Sequence, residues 1–282
     1  MSADRPDPKA AASELGDLLR YWRGVRGASQ LGLSLEAGIS QRQISFIESG
    51  RSVPGRDTLL TLAQALEMPL RERNALLLAA GYAPVYAEPP WNAQEMQGVI
   101  RALERLVSQH EPFPAIVMDR HWNVLMNNQA ALRLFGSFID MAARQEPRNM
   151  LHLIFDPRGL RPFLADWDAV ARSLLQRLHR ETVGHAVDAG TRRLLDELLA
   201  YPAVPRDWRT HRASASSAGL PMIPLGFVKD GVVLRYFSLV TTVGAPQSVS
   251  AQELRLESMF PADEQTEARH HQLLAGQKLA PG

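Results

Sequence analysis

An α+β chain of two domains is the expectation: an all-α five-helix domain, followed by an α/β domain with an antiparallel sheet. Three observations predict it. Apolar residues recur at the 3, 4, 7 spacing of short helices from about residue 14 to residue 81. A stretch with one Gly and three Pro, GYAPVYAEPPWNAQ at 81 to 94, follows without helical or alternating pattern. From residue 115 the pattern changes to short apolar runs separated by turn residues, which is the signature of strands. At 282 residues the chain exceeds the usual size of one domain, so each part can hold its own core. The divisions expected are a first domain at 1–82, a linker at 83–95, a second domain at 96–262 and a polar, mobile tail at 263–282.

Helix one carries Leu15, Leu18, Leu19, Trp22 and Val25 on one face and ends at Gly27. Ser29 is suited to cap a second helix bearing Leu31, Leu33 and Leu35, which Gly38 can close in the left-handed conformation. Ser40 caps the third. At 100° per residue Ile44 and Ile47 share its inner face, whereas Gln41, Arg42, Ser45, Phe46 and Ser49 cluster on the opposite side. A fourth helix is expected from Asp57 to Leu66 and a fifth from Leu70 to Ala80.

Two further features give this domain a chemistry. The connection Gly38-Ile39-Ser40 is the three-residue turn that lets the second of two helices project into a DNA major groove. Net charge is only +1, but positions 20 to 56 hold six Arg (Arg20, Arg23, Arg26, Arg42, Arg51, Arg56) against Glu36 and Glu48, a basic patch over the same segment. The run SQLGLSLEAGISQRQISFIESGRSVP resembles the XRE, or phage-repressor, type of helix-turn-helix; Ser34 departs from the usual Ala. That resemblance, with the helix geometry, implies that Gln41, Arg42, Ser45 and Phe46 face base edges, with Ser40 opening the recognition helix. Gln30, Gln43, Ser49 and Arg51 then suit phosphates, and Arg23 with Glu48 suits a structural pair. The partner implied is a double-stranded DNA operator, read by a homodimer.

The second domain opens with a helix at about 94 to 109, with Val99, Leu103 and Leu106 on one face. Ala115 to Met118 reads as a strand, Asp119-Arg120-His121 as a turn, Trp122 to Met126 as a second strand, and Asn128 to Gly136 as a helix. Asp230-Gly231 is a hairpin signal between strands rich in Val, Phe and Tyr. The segment PAIVMDRHWNVLMNNQAALRLFG resembles the start of a PAS domain, and more narrowly the MmyB-like ligand-binding domain. EPRNMLHLIFDP, DWDAVARSLLQRL, VPRDWRTHRAS and GFVKDGVVLRYFSLVTTVGAPQS extend that likeness to about residues 96–262.

The resemblance implies a PAS-like sensor of a small hydrophobic, fatty-acid-like ligand, in a cavity of roughly 300 to 1,000 Å³. Candidate wall residues are Trp122, Leu134, Phe135, Leu153, Phe155, Trp167, Tyr236 and Phe237, residue types that are more often plain core. Arg148, His152 and His211 are candidate polar anchors.

Exclusions narrow the function. The chain has no Cys, so disulfides, thiol nucleophiles and Cys-based metal sites are out. GxSxG, GxxxxGK[ST], GxGxxG and HExxH are absent, and no enzyme activity or cofactor is expected. His179 and His185 are six apart, and His270 and His271 fall in the tail, so solvated histidines are expected rather than metal ligands. No apolar stretch approaches the roughly 20 residues of a membrane span, and the polar N-terminus lacks a signal core, so a cytoplasmic protein is expected. A second domain that serves only dimerisation or protein contacts, and an enzyme with an attached helix-turn-helix, stay open as alternatives.

Overall fold

Leu15, Leu19 and Trp22 bury the inner face of α1 (Pro8–Val25) in the computed structural model, which describes residues 8–144, 146–184, 189–210 and 225–276. Val25, assigned above to that face, is 44% exposed, because it is the last residue of the helix and lies past the reach of the core. Four short helices follow: α2 (Gln30–Ala37), α3 (Gln41–Glu48), α4 (Arg56–Ala65) and α5 (Leu70–Ala79). Leu33, Ile44, Ile47, Leu59, Leu62 and Leu77 close one apolar cluster among them. These helices belong to the first of two compact units, which runs to Pro89 and also takes in Ala245–Gln252 from far along the chain. That returning segment holds α11 (Val249–Gln252). Val249 is fully buried; its N–H donates to the Ala87 carbonyl, and Gln252 Oε1 accepts from the Leu70 N–H at the head of α5.

The second unit starts with a 3-10 turn at Gln94–Met96 and α6 (Gln97–Gln109). The buried stripe of α6 is Ile100, Leu103 and Val107, and Leu106 is 44% exposed. The neighbouring apolar residues at 99 and 100 and at 106 and 107 make two stripes equally regular, and packing on β1 (Ala115–Met118) and β5 (Arg255–Pro261) selects the one not expected. The sheet is five-stranded and antiparallel, in the order β2-β1-β5-β4-β3, with β2 Val124–Asn127, β3 Leu225–Lys229 and β4 Val232–Thr241. Asp230 (φ 51°) and Gly231 (φ 77°) form the β3–β4 hairpin turn where Asp-Gly predicts it.

Strand β2 starts at Val124, not Trp122, because Trp122 sits at φ 67° in the left-handed region and ends the preceding turn. Helices α7 (Gln129–Gly136), α8 (Met150–Phe155), α9 (Trp167–Gly184) and α10 (Ala189–Leu199) complete the unit's main core with the sheet.

The expected mobile tail is instead largely a helix, α12 (Glu264–Leu274). Asp263 caps it through the Thr266 N–H, and Thr266, His270 and Leu273 are buried. His270 is therefore not solvated: Nδ1 meets the Tyr236 hydroxyl at 2.7 Å and Nε2 meets the Pro112 carbonyl at 2.8 Å. Burial lowers its pKa, which keeps the ring neutral.

Candidate functional site

The turn between α2 and α3 is built by two caps and one left-handed residue. The Ser29 hydroxyl accepts from the Gly32 N–H, Gly38 takes φ 65°, and the Ser40 hydroxyl accepts from the Gln43 N–H at 3.2 Å. Ser40 thus opens α3, leaving Gln41, Arg42 and Gln43 exposed on its first turn. Ser45 and Phe46 are half-buried one turn on, with Ser49 and Arg51 exposed beyond. The guanidinium groups of Arg42 and Arg51 lie 5.2 Å and 5.9 Å from the centroid of the Phe46 ring, so one aromatic side chain sets the position of two cations.

Three other arginines of the basic patch turn inward, and one of them, Arg23, makes the structural pair expected of it. Arg23 makes a bidentate pair with Glu48, at 2.6 Å and 3.0 Å, and reaches the Ala28 carbonyl. Arg20 donates to the Glu48 carbonyl, and Arg26 donates to the carbonyls of Leu66 and Glu67. These three hold the bundle together. Gln30, assigned above to phosphates, donates from Nε2 to Glu48 at 2.7 Å and so joins the lock.

Burial alone would raise the Glu48 pKa, but hydrogen bonds from Arg23 and Gln30 and the charges of Arg23 and Arg20 outweigh it and hold the carboxyl below its usual range. Arg23 is pushed up, chiefly by its hydrogen bond to Glu48. The family resemblance points to Arg23 with Glu48 but not to Gly16, where a Cβ would stand 2.5 Å from the Glu48 carbonyl oxygen.

The second unit encloses a cavity of about 370 Å³. Among the described residues that line it, eleven of fifteen are apolar, so these walls suit a hydrocarbon. Ile116 and Met259 come from the sheet, Phe135 from α7, Met150 and Ile154 from α8, and Val170 and Leu174 from α9. The polar groups among the described lining residues are Ser173 and Arg177 of α9, Ser238 of β4 and Glu257 of β5. Arg177 Nη1 donates to Glu257 Oε1 at 2.7 Å and its guanidinium lies 4.4 Å above the Trp122 ring.

Trp122 is held in its left-handed conformation from both sides. Its N–H donates to the Asp119 carbonyl, its carbonyl accepts from the Met150 N–H, and Asp119 Oδ1 accepts from the N–H groups of His121 and Asn123. Asn149 bonds His121 and Asn123 across the gap. The ring is 2% exposed, and its indole N–H has no hydrogen-bond partner among the described residues.

Of the residues singled out from sequence, Trp122 and Phe135 line the cavity. Leu134, Leu153, Phe155 and Tyr236 are buried in the surrounding core without lining it. Trp167 donates to the Ala203 carbonyl under Arg161, and Phe237 stacks on Phe260 at 5.5 Å. Arg148 pairs with Glu146, and His152 is bonded to Tyr201 and Glu197, so neither stands on the cavity wall. His211 lies outside the described residues. Arg177 and Glu257, the charged groups that do line it, were missed; they come 80 residues apart, on a helix and a strand with no shared motif. Among the described residues no cluster of three metal-ligating side chains occurs, and no helix is long and apolar enough to cross a membrane.

Comparison with known proteins matches residues 99–273 to the family described as MmyB-like transcription regulator ligand binding domain, and residues 14–76 to a helix-turn-helix domain. An uncharacterized HTH-type transcriptional regulator of Sinorhizobium fredii is 29% identical over 180 residues, which covers 55% of this chain and 89% of that protein.

Proposed function

The chain belongs to the MmyB-like transcription regulator family, as a DNA-binding helix-turn-helix regulator with a ligand-binding domain, and from that premise we propose how it reads DNA and what it senses. The helix-turn-helix, of the XRE type, reads an operator through Gln41, Arg42, Ser45 and Phe46. Arg pairs with guanine, Gln with adenine, and an apolar edge touches a thymine methyl. Ser40, Gln43, Ser49 and Arg51 contact phosphates and fix register. Gln30 joins them from the start of α2, its amide bonded to Glu48 and keeping a second N–H for a phosphate. The active form is a homodimer in the cytoplasm, matching two operator half-sites.

The observation that carries the sensing role is the cavity: about 370 Å³, mostly apolar among its described lining residues, with the Arg177–Glu257 pair on its wall. A cavity of this size and lining supports a ligand with a fatty-acid-like chain, each buried CH₂ contributing about 0.8 kcal/mol. Binding shifts operator affinity only as far as the ligand prefers one arrangement of the protein over another. The test is native mass spectrometry of the purified full chain, then thermal shift with straight chains of increasing length, then operator titration with the strongest binder. Stabilisation that rises with chain length, and a changed operator affinity, are expected. No stabilisation by any chain sinks the sensing role, and the second domain then serves dimerisation or protein contacts.

A further inference from the structure

We propose that the adjacent residues Gln252 and Glu253 carry the state of the cavity to the DNA-binding unit. Gln252 is bonded to the head of α5, and Glu253 to the turn that sets Trp122 on the cavity wall. This rests on the reading of the cavity as the ligand site. The boundary between the two compact units falls between these residues, so one peptide bond joins the units there.

On the sensor side, Glu253 Oε1 accepts from Arg120 Nη1 at 2.8 Å, and the Arg120 and Glu253 side chains are only 11% and 16% exposed. Arg120 belongs to the Asp119-Arg120-His121 turn that leads into Trp122, and Trp122 lines the cavity. Further along the same stretch, Arg255 opens β5 with its guanidinium 5.8 Å from the centroid of the Trp122 ring. Glu257 shares that face of β5, stands on the cavity wall and holds Arg177, whose guanidinium lies over the same ring. Leu254, between the two anchors, is buried. A ligand that displaces Trp122 or Glu257 therefore displaces Glu253.

On the other side, Gln252 Oε1 accepts from the Leu70 N–H at 2.6 Å, one of the donors that a helix start leaves without a carbonyl of its own. The rest of α11 is fixed as well: Val249 N–H donates to the Ala87 carbonyl and the Ser250 hydroxyl to the Pro89 carbonyl. Helix α5 packs on α1, and α1 grips the end of α3 where Arg20 and Arg23 meet Glu48. The route to the base-reading helix thus runs from α5 through α1 to α3. The connection also has a tight end and a slack end. Residues 242–248 separate β4 from α11, but only Glu253 and Leu254 separate α11 from β5.

Such a link counts as coupling only if cutting it uncouples the two ends and leaves each intact. The test begins with isothermal titration of the full chain with dodecanoate, tetradecanoate and hexadecanoate. Amide hydrogen exchange at the Leu70 N–H is then read with and without the tightest of the three. That compound is expected to change exchange at Leu70 by about fivefold or more. Replacing the pair by Arg120→Met with Glu253→Met leaves no unpaired charge. Its affinity for the compound is expected to be unaltered, and the change at Leu70 to vanish. If that variant does not fold, a Gly-Gly insertion between Gln252 and Glu253 keeps both bonds, adds about 7 Å of slack and is expected to act the same way. A pair that only stabilises the fold would lower the melting temperature yet leave the response at Leu70 in place, and that result overturns the link. Binding with no change at Leu70 in the unaltered chain also overturns it; both results leave the cavity a ligand site. Failure of all three compounds to bind overturns the ligand-site reading and the link with it.

Discussion

Phe46 presents Arg42 and Arg51 from a single ring, yet the two guanidinium groups have different tasks under the proposed function. Arg42→Ala is expected to lose about 1 to 3 kcal/mol on the preferred operator and to relax base choice, whereas Arg51→Ala weakens all DNA alike and flattens the salt dependence. Titration against matched and shuffled operators at several salt concentrations separates them; an Arg42→Ala protein with unaltered affinity and base choice removes α3 from the major groove. Glu48 sets a second test. Its folded carboxyl holds a proton less tightly than an unfolded glutamate, whose pKa is about 4.3. The unfolded chain thus takes up the proton first, and the stability Glu48 contributes is complete above that value and lost as pH falls through the lowered folded one. Glu48→Gln is expected to cost about 3 kcal/mol at neutral pH, the low end for breaking a buried pair because Arg23 retains 20% exposure. Thermal unfolding from pH 6 to pH 3 should show the two proteins converging at the acid end; a gap that does not narrow means the charge of Glu48 is not what holds the helices.

At the scale of elements, the approach of α1 to α3 depends on a missing side chain. A Cβ at Gly16 would stand 2.5 Å from the Glu48 carbonyl oxygen and 2.9 Å from that of Ile47, so alanine must push the helices apart. Alanine favours a helix over glycine by about 1 kcal/mol, but a forced clash in a packed interface costs about 1 to 3 kcal/mol, and the clash is expected to win. A lower melting temperature for Gly16→Ala is the result that checks it, and a higher one shows that the helices yield without loss. The five helices of the first unit were legible because each has its own local signal: Ser29, Gly38 and Ser40 mark ends, and Leu15, Leu19, Ile44 and Ile47 mark inner faces. Gly16 had no such signal, since nothing near it in sequence shows that α3 crosses there. The same limit hid α12, whose buried face includes Thr266 and His270: two polar residues made acceptable inside by partners more than 30 residues away. Arg177 and Glu257 escaped for the same reason; Trp122 and Phe135 line the cavity but Tyr236 and Phe237 do not, so a large aromatic side chain in this part of the sequence did not by itself mark the wall.

At the scale of the whole molecule, the first unit is discontinuous in sequence: α11 from Ala245–Gln252 adds a buried Val249 and the Gln252 acceptor for the head of α5. A fragment ending at Pro89 lacks both. Exposing the site of Val249 alone removes roughly 2 kcal/mol, and at about 4 to 8 °C per kcal/mol for a domain of this size the fragment is expected to melt roughly 10 °C below one with 245–252 joined by a flexible linker. Equal melting of the two fragments would show that the returning segment adds nothing to the unit. The same discontinuity imposes an order on synthesis. A ribosome that has passed Pro89 still has 163 residues to add before Gln252 exists, which at about 5 to 20 residues per second takes about 8 to 30 seconds. By then four of the five strands, β1 to β4, have already been translated. A nascent chain therefore carries an unfinished helix-turn-helix unit until most of the sensor sheet has been made, and truncated products that end anywhere before residue 245 lack the piece that completes it.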